Sequence, residues 1–144
     1  MKILLYSFLL LFAANGLDKC EHENHDEHTS NLGDTIDLKL NESVNFKSEN
    51  LQITFESNAD SRCPLGVNCI QAGKAKIALK IVKDDKDAML NLEAKGLCQA
   101  EDGSCGSEGA ALGYKVKLIN VYPYPTEPKT GEDKVIYAKL IVSK

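Results

Sequence analysis

Apolar and polar residues alternate along most of the chain after Asp34, and this period of two constrains the fold more than any other feature. The clearest run covers residues 74–82. Its apolar residues would share one face of a strand: Ala75, Ile77, Leu79 and Ile81. Its lysines would share the other face: Lys74, Lys76 and Lys80. This pattern predicts a strand that packs one face on the core and exposes the other to water.

The same alternation recurs in other short segments, and none shows a helical period. These segments are residues 36–40, 44–46, 51–55, 88–94, 114–118 and 135–142. The charged run Asp84 to Asp87 lies between two of them, so residues 74–94 are predicted to form a β-hairpin. The alternation slips at Ile119 and Val121, which predicts a β-bulge. About seven strands predict an all-β domain over residues 34–144: a single antiparallel β-sandwich, with immunoglobulin-like topology as one option, or an open barrel.

Residues 1–19 have the form of a secretory signal segment. Lys2 precedes an uncharged run from Ile3 to Ala14, which Asn15 and Gly16 then end. A helix over this run would rise only about 18 Å, well short of the hydrocarbon core of a membrane, so a permanent span is not expected. The sequence therefore predicts an exported protein.

Two ways of processing this segment remain open. Small residues at Ala14 and Gly16 suit an ordinary signal peptidase, which would release a soluble protein beginning at Leu17. Alternatively, residues 17–20 resemble a bacterial lipoprotein signal, although Lys19 replaces the usual small residue before Cys20. That resemblance implies a lipidated Cys20 that anchors the protein to a membrane of the bacterial cell envelope, in the periplasm or at the outer membrane.

The number of cysteines favours lipidation. An exported chain with five cysteines leaves one without a partner, whereas modification of Cys20 leaves an even number. The remaining four lie in two close pairs, and each pair is predicted to form a short-range disulfide: Cys63 with Cys69, and Cys98 with Cys105.

Residues 20–33 are predicted to form a flexible acidic tether. They contain every histidine of the chain: His22, His25 and His28. Imidazole and carboxylate groups can bind zinc, copper or nickel, so metal binding or buffering is an alternative function, and no other cofactor is expected. No apolar face fixes the histidines, which favours a solvated tether. Acidic residues after the cysteine also resemble the surface-export signal of some Bacteroidetes lipoproteins.

Residues 60–73 read Asp-Ser-Arg-Cys-Pro-Leu-Gly-Val-Asn-Cys-Ile-Gln-Ala-Gly. This segment resembles a family of small exported bacterial proteins, many of them lipoproteins, that carry the same cysteine loop before a lysine- or valine-rich strand. The family more often has tryptophan where this chain has Gln71. The resemblance implies location and fold, and it implies no activity.

The same segment contains the candidate binding loop, marked by Asp60, Arg62 and Asn68. Arg62 is the only arginine of the chain. It could form an ion pair with Asp60 that supports the loop, or it could bind an anionic ligand through its two-pronged guanidinium. We expect the supporting role. The second cysteine loop, residues 96–113, is predicted to be a solvated insertion tied by its disulfide.

The composition excludes several classes of function. Removal of residues 1–19 takes away Lys2, Lys19 and Asp18, which leaves 15 basic and 20 acidic residues and disfavours nucleic acid as a partner. With every histidine in the tether, the domain lacks the usual general base, and no catalytic motif is present. We therefore expect a non-catalytic envelope protein that binds an unknown protein or small molecule. Inhibition of a protease through the Cys63–Cys69 loop is a further alternative.

Overall fold

The computed structural model describes residues 28–126 and 134–144, which form a β-sandwich of two packed sheets. This confirms the predicted fold class. The described residues contain nine strands: β1 (His28–Thr29), β2 (Thr35–Lys39), β3 (Ser43–Phe46), β4 (Leu51–Asp60), β5 (Lys74–Lys83), β6 (Lys86–Lys95), β7 (Glu108–Ala111), β8 (Tyr114–Tyr122) and β9 (Tyr137–Ser143). A short 3-10 helix, Lys47–Glu49, joins β3 to β4. Neither described range includes a helix with the length and apolarity required to cross a membrane.

The first sheet has the strand order β1-β3-β4-β5-β6, and the second has the order β2-β9-β8-β7. Neighbouring strands are antiparallel except β1 and β3, which are parallel. The inward residues of the alternating segments form one core, and its largest fully buried side chains include Phe46, Phe55, Leu38, Leu118 and Leu140. Burial of each such side chain stabilises the fold by about 1.5–3 kcal/mol.

The predicted hairpin between β5 and β6 is confirmed, with a tighter turn than expected. Lys83 pairs directly with Lys86, so only Asp84 and Asp85 form the loop. Asp84 adopts a positive φ of 53°, which aspartate tolerates better than most residues. Its carboxylate accepts a hydrogen bond of 2.6 Å from the side chain of Asn50, which fixes this end of the hairpin.

Two β-bulges interrupt the strands β4 and β8, which run toward the opposite end of the sandwich. The predicted slip in β8 is present as a register shift between Leu118 and Asn120, and it leaves Asn120 fully buried. A second shift in β4, between Phe55 and Ser57, has no counterpart in the sequence prediction. Because a bulge inserts one residue into one strand, it changes which residues face the core beyond that point.

Residues 28–33, which the sequence assigns to the tether, contact the two sheets. β1 pairs with β3, Ser30 N donates to Asn45 O at 3.1 Å, and Gly33 N donates to Val142 O at 2.8 Å. Leu32 packs against the core. Residues 28–33 of the predicted tether therefore contact both sheets, and a single apolar residue among polar ones gives no period from which this could be predicted. The domain boundary at residue 34 stays a prediction. The predictions for the signal segment, Cys20, His22 and His25 lie outside the described residues.

The second cysteine loop is not the solvated insertion that we expected. It contains β7, and it also crosses from one sheet to the other. Ser107 N donates to Glu93 O in the first sheet at 2.8 Å, and Ser107 O accepts from Leu118 N in the second at 2.9 Å. The sequence did not predict β7, because its glycine and alanine residues give little alternation of apolar and polar side chains.

Candidate functional site

The end of the sandwich at which β4, β6 and β8 finish carries three loops. The first loop is residues 60–73 and the second is residues 96–105. The third joins β8 to β9, and the structure describes its residues 122–126 and 134–136. We call these described residues the stapled end. Its central side chain is Arg62, which is buried with 3% of its surface exposed. The Asp60 carboxylate accepts hydrogen bonds from Arg62 Nε at 2.9 Å and Nη2 at 2.6 Å, and also from the Arg62 backbone N at 3.0 Å. This two-point pairing fixes the plane of the guanidinium.

The other donors of Arg62 bind the end of β8 and the loop that follows it. Nη1 donates to the side-chain oxygen of Asn120 at 3.1 Å and to Val121 O at 2.8 Å. Nη2 also donates to Pro123 O at 3.4 Å. A guanidinium has five N–H groups, so each one has an acceptor within the chain. The Tyr124 ring lies 4.6 Å from the guanidinium carbon and adds a cation–π contact.

This arrangement favours the supporting role of Arg62 over the anionic-ligand role. The Arg62 side chain has no exposed surface, and 22% of the Asp60 side chain is exposed. A ligand would have to displace the chain's own acceptors before it could contact the guanidinium. Asn68, by contrast, is exposed on the loop between the two cysteines. The structure therefore separates the three predicted residues into an ion pair, in which Arg62 is buried and Asp60 is partly exposed, and an exposed amide.

Two neighbours of Arg62, Tyr124 and Asn120, connect the loop after β6 (residues 96–105) to the same network. The Tyr124 hydroxyl accepts a hydrogen bond of 2.5 Å from Leu97 N, and the Asn120 amide donates to Cys98 O at 3.3 Å. Leu65 N donates to Pro125 O at 2.9 Å. The three loops are thus held as one unit around a buried polar network.

Backbone contacts close the base of the first loop, and its disulfide closes the tip. Cys63 is bonded to Cys69 as predicted, and Cys63 N donates to Ala72 O at 2.9 Å. Gly73 has a φ of +67°, and a Cβ at this position would lie 1.9 Å from Ser61 O. Only glycine fits there without moving the backbone. A close approach of two chain segments therefore explains the glycine at position 73.

Aliphatic side chains are concentrated on the outer surface of the stapled end. Six large hydrophobic side chains are exposed in the described residues. Five of them lie at the stapled end, and the other, Met89, lies on β6. Isolated exposed hydrophobics are ordinary, whereas a cluster indicates a contact surface. Ile70 is exposed as fully as in an extended chain, at 103%. The five at the stapled end, which we call the aliphatic tip, are Leu65, Val67, Ile70, Leu97 and Val135.

The second predicted disulfide, Cys98–Cys105, is also present, and its loop lies against the second sheet. The Glu101 carboxylate accepts a hydrogen bond from the Tyr122 hydroxyl and another from Lys139 Nζ at 3.0 Å. These two bonds, the one from Tyr122 first, lower the pKa of Glu101. Burial, followed by the bond to Glu101, raises the pKa of Tyr122 to about 12.

The described residues contain no group of three or more His, Cys, Asp or Glu side chains placed to hold a metal. His28 is exposed on β1. His22 and His25 lie outside the described residues, so metal binding by the three histidines stays a prediction.

Sequence reasoning missed Asn120 and Tyr124 as partners of Arg62. Asn120 carried a signal, because it is one polar residue within the apolar run from Leu118 to Val121. A buried amide in such a run requires a hydrogen-bonding partner. The partner could not be named without the strand register.

No protein-family model, curated protein or solved structure matches this chain. The resemblance of residues 60–75 to a family of exported bacterial proteins therefore stays a prediction.

Proposed function

We propose that this protein is a non-catalytic binding module of the bacterial cell envelope, anchored through a lipid on Cys20, and that the stapled end is its contact surface. The observation that carries the proposal is the aliphatic tip, which is displayed on loops fixed by Arg62 and two disulfides. Exposed aliphatic side chains on rigid loops are costly to solubility, and contact with another envelope component would offset that cost.

Rigidity makes this surface suited to binding. Association normally costs about 0.5–1.5 kcal/mol for each side chain that must be ordered, and more when a loop must be ordered. The Cys63–Cys69 bond and the Arg62 network order the first loop before any partner arrives. The residues expected to touch the partner are therefore Leu65, Val67, Asn68 and Ile70, with Arg62 beneath them.

The two disulfides support the proposed location. Disulfides persist in oxidising compartments and are rare in the cytosol. Because the four cysteines of the domain are paired with each other, Cys20 is the one cysteine left over, as lipidation would require. The signal segment and the lipoprotein-like residues 17–20 point the same way.

Intact mass spectrometry of the protein from its native host tests the anchor, with and without reduction and alkylation. We expect an N-terminal Cys20 carrying the mass of its acyl chains, and four cysteines that react with the alkylating reagent only after reduction. A chain that begins at Leu17 without lipid would contradict the anchored form. It would also leave a free thiol at Cys20 beside His22 and His25, and metal binding would become the better account.

A further inference from the structure

We infer that the Cys63–Cys69 disulfide is a redox switch for the contact surface. An external dithiol that reduces this bond releases the outer part of the first loop and leaves the rest of the domain folded. The switch regulates the contact surface, and in that respect it rests on the proposed function. The two disulfides of the domain differ both in what they hold and in how a thiol reaches them.

Residues 68–71 of the first loop depend on the disulfide for their position. In the described part of the chain, no hydrogen bond or ion pair joins these four residues to any other. Their one cross-link to the domain is the bond from Cys69 to Cys63. The segment carries the exposed amide Asn68 and Ile70, the most exposed side chain of the aliphatic tip. The disulfide therefore fixes two of the residues that are expected to touch the partner.

The base of the first loop is closed without the disulfide. Ser61 N donates to Lys74 O at 2.9 Å, and Cys63 N donates to Ala72 O at 2.9 Å. Arg62 lies between these two backbone bonds and keeps its acceptors in the buried network. Reduction of the disulfide breaks none of these bonds. Its effect should therefore be a local opening of the loop, with the strands on either side still paired.

The second disulfide holds its loop in a different way. The middle of that loop is fastened to the second sheet, because the Glu101 carboxylate accepts hydrogen bonds from Tyr122 and Lys139. Cys105 is 0% exposed, and its Sγ accepts a hydrogen bond of 3.1 Å from Ala100 N. Reduction of this bond would leave the loop attached to the sheet. The second disulfide is therefore an internal control for the first.

Access selects the sulfur that a thiol attacks. Cys69 is exposed, whereas Cys63 has only 3% of its surface exposed. A thiolate of the dithiol attacks Cys69 Sγ, forms a mixed disulfide and expels Cys63 as a thiolate that takes up a proton. The second thiol of the reagent then displaces Cys69, which also takes up a proton. The dithiol supplies two electrons and two protons and becomes a disulfide, and exchange with an oxidised dithiol reverses both steps.

Timed reduction of the folded protein tests the selectivity. The experiment uses the mature chain with Cys20→Ser, so that the domain holds every cysteine, and dithiothreitol is the probe. Samples are alkylated at intervals, and peptide masses identify the cysteines that have reacted. We expect Cys63 and Cys69 to react about tenfold faster or more than Cys98 and Cys105. Equal rates, or reaction only when circular dichroism shows global unfolding, would overturn the inference.

NMR relaxation of the selectively reduced protein tests the release of the loop. The backbone order parameters of residues 66–71 should fall from rigid values of about 0.85 to below about 0.6. Those of residues 99–104, in the second loop, should not change. Order parameters over residues 66–71 that stay the same after reduction would overturn the inference, because the loop would then keep its order without the disulfide.

A double variant tests the link to the contact surface. Cys63→Ser with Cys69→Ser cannot form the bond, and it should fold because the base of the loop is closed without it. A photoreactive amino acid in place of Ile70 should then give the envelope adduct in a yield about tenfold lower than with the disulfide present. An undiminished adduct would overturn the switch and leave the proposed function standing. Absence of the adduct with the disulfide intact would contradict the proposed function itself, whatever the rates of reduction.

Discussion

Arg62 Nη1 donates a hydrogen bond of 3.1 Å to the side-chain oxygen of Asn120, although 58 positions separate the two residues in the chain. The bond joins the loop after β4 to the bulged strand β8. Both side chains are buried, with Arg62 3% and Asn120 0% exposed. The contact therefore depends on the register of both sheets, and it fixes the loops that form the stapled end.

Replacement of Arg62 should destabilise the domain. Arg62→Ala would leave Asp60 and the Asn120 side chain without their charged partner. Loss of one partner of a fully buried pair costs about 3–5 kcal/mol, and because 22% of the Asp60 side chain is exposed we expect a loss at or below the lower end of that range. Urea unfolding measures the change. The control is Lys39→Ala, since Lys39 forms an exposed pair with Glu42 at 3.3 Å, and its loss should cost less than about 1 kcal/mol. An Arg62→Ala protein of normal stability would favour the anionic-ligand role instead.

Glycine should be required at position 73 and much less so at position 66. A Cβ on Gly73 would lie 1.9 Å from Ser61 O, whereas a Cβ on Gly66 has nothing within 4 Å. Both residues have positive φ, +67° and +85°, so both alanine variants pay a similar conformational cost. We expect Gly73→Ala to lose about 1–3 kcal/mol more than Gly66→Ala in thermal or urea unfolding. Equal losses would contradict the close approach.

The Glu101 carboxylate should titrate below its ordinary pKa of 4.5. A lowered pKa in the folded state contributes stability above the ordinary value, and this contribution is lost as pH falls through the folded value. An NMR titration of the Glu101 side-chain carbon gives the pKa directly. Tyr122→Phe should return the pKa toward 4.5, because the bond from Tyr122 is the largest single cause of the lowering, and Lys139→Ala should act in the same direction. An unchanged pKa in Tyr122→Phe would show that this bond is absent in solution.

The Tyr122 hydroxyl should ionise at a pKa of about 12, above its ordinary value of 10.0. The folded pKa is raised, so the stabilisation is fully present below pH 10.0 and is lost as pH rises toward about 12. NMR of the ring carbon that bears the hydroxyl follows the ionisation. Glu101→Gln should lower the pKa but keep it above 10.0, since burial is the larger cause. A Tyr122 pKa of 10 in the unmodified protein would contradict the packing of this loop.

The sequence predicted strands wherever their inward residues are large. β5 and β8 were predicted because alternating aliphatic residues define the core face, and the two disulfides followed from spacing. β1 and β7 were missed, because His-Thr and Glu-Gly-Ala-Ala bury little apolar surface and pair mainly through the backbone.

The candidate site was predicted only in part. Arg62 and Asp60 are only two positions apart in the sequence, so their pairing could be foreseen. The role of Asn120 could not, because it depends on a bulge that turns one residue of β8 toward the first loop. The aliphatic tip was equally hidden, since the exposure of Leu65, Leu97 and Val135 at one end of the sandwich follows only from the assembled fold.

Site-specific photo-crosslinking in the native host tests the central claim most directly. A photoreactive amino acid replaces Ile70 at the stapled end in one strain and Met89 on β6 in another; both side chains are exposed, at 103% and 54%. We predict that position 70 forms a defined adduct with a protein or lipid of the envelope, and that position 89 does not. Adducts of equal yield at both positions, or none at position 70, would contradict a contact surface at the stapled end.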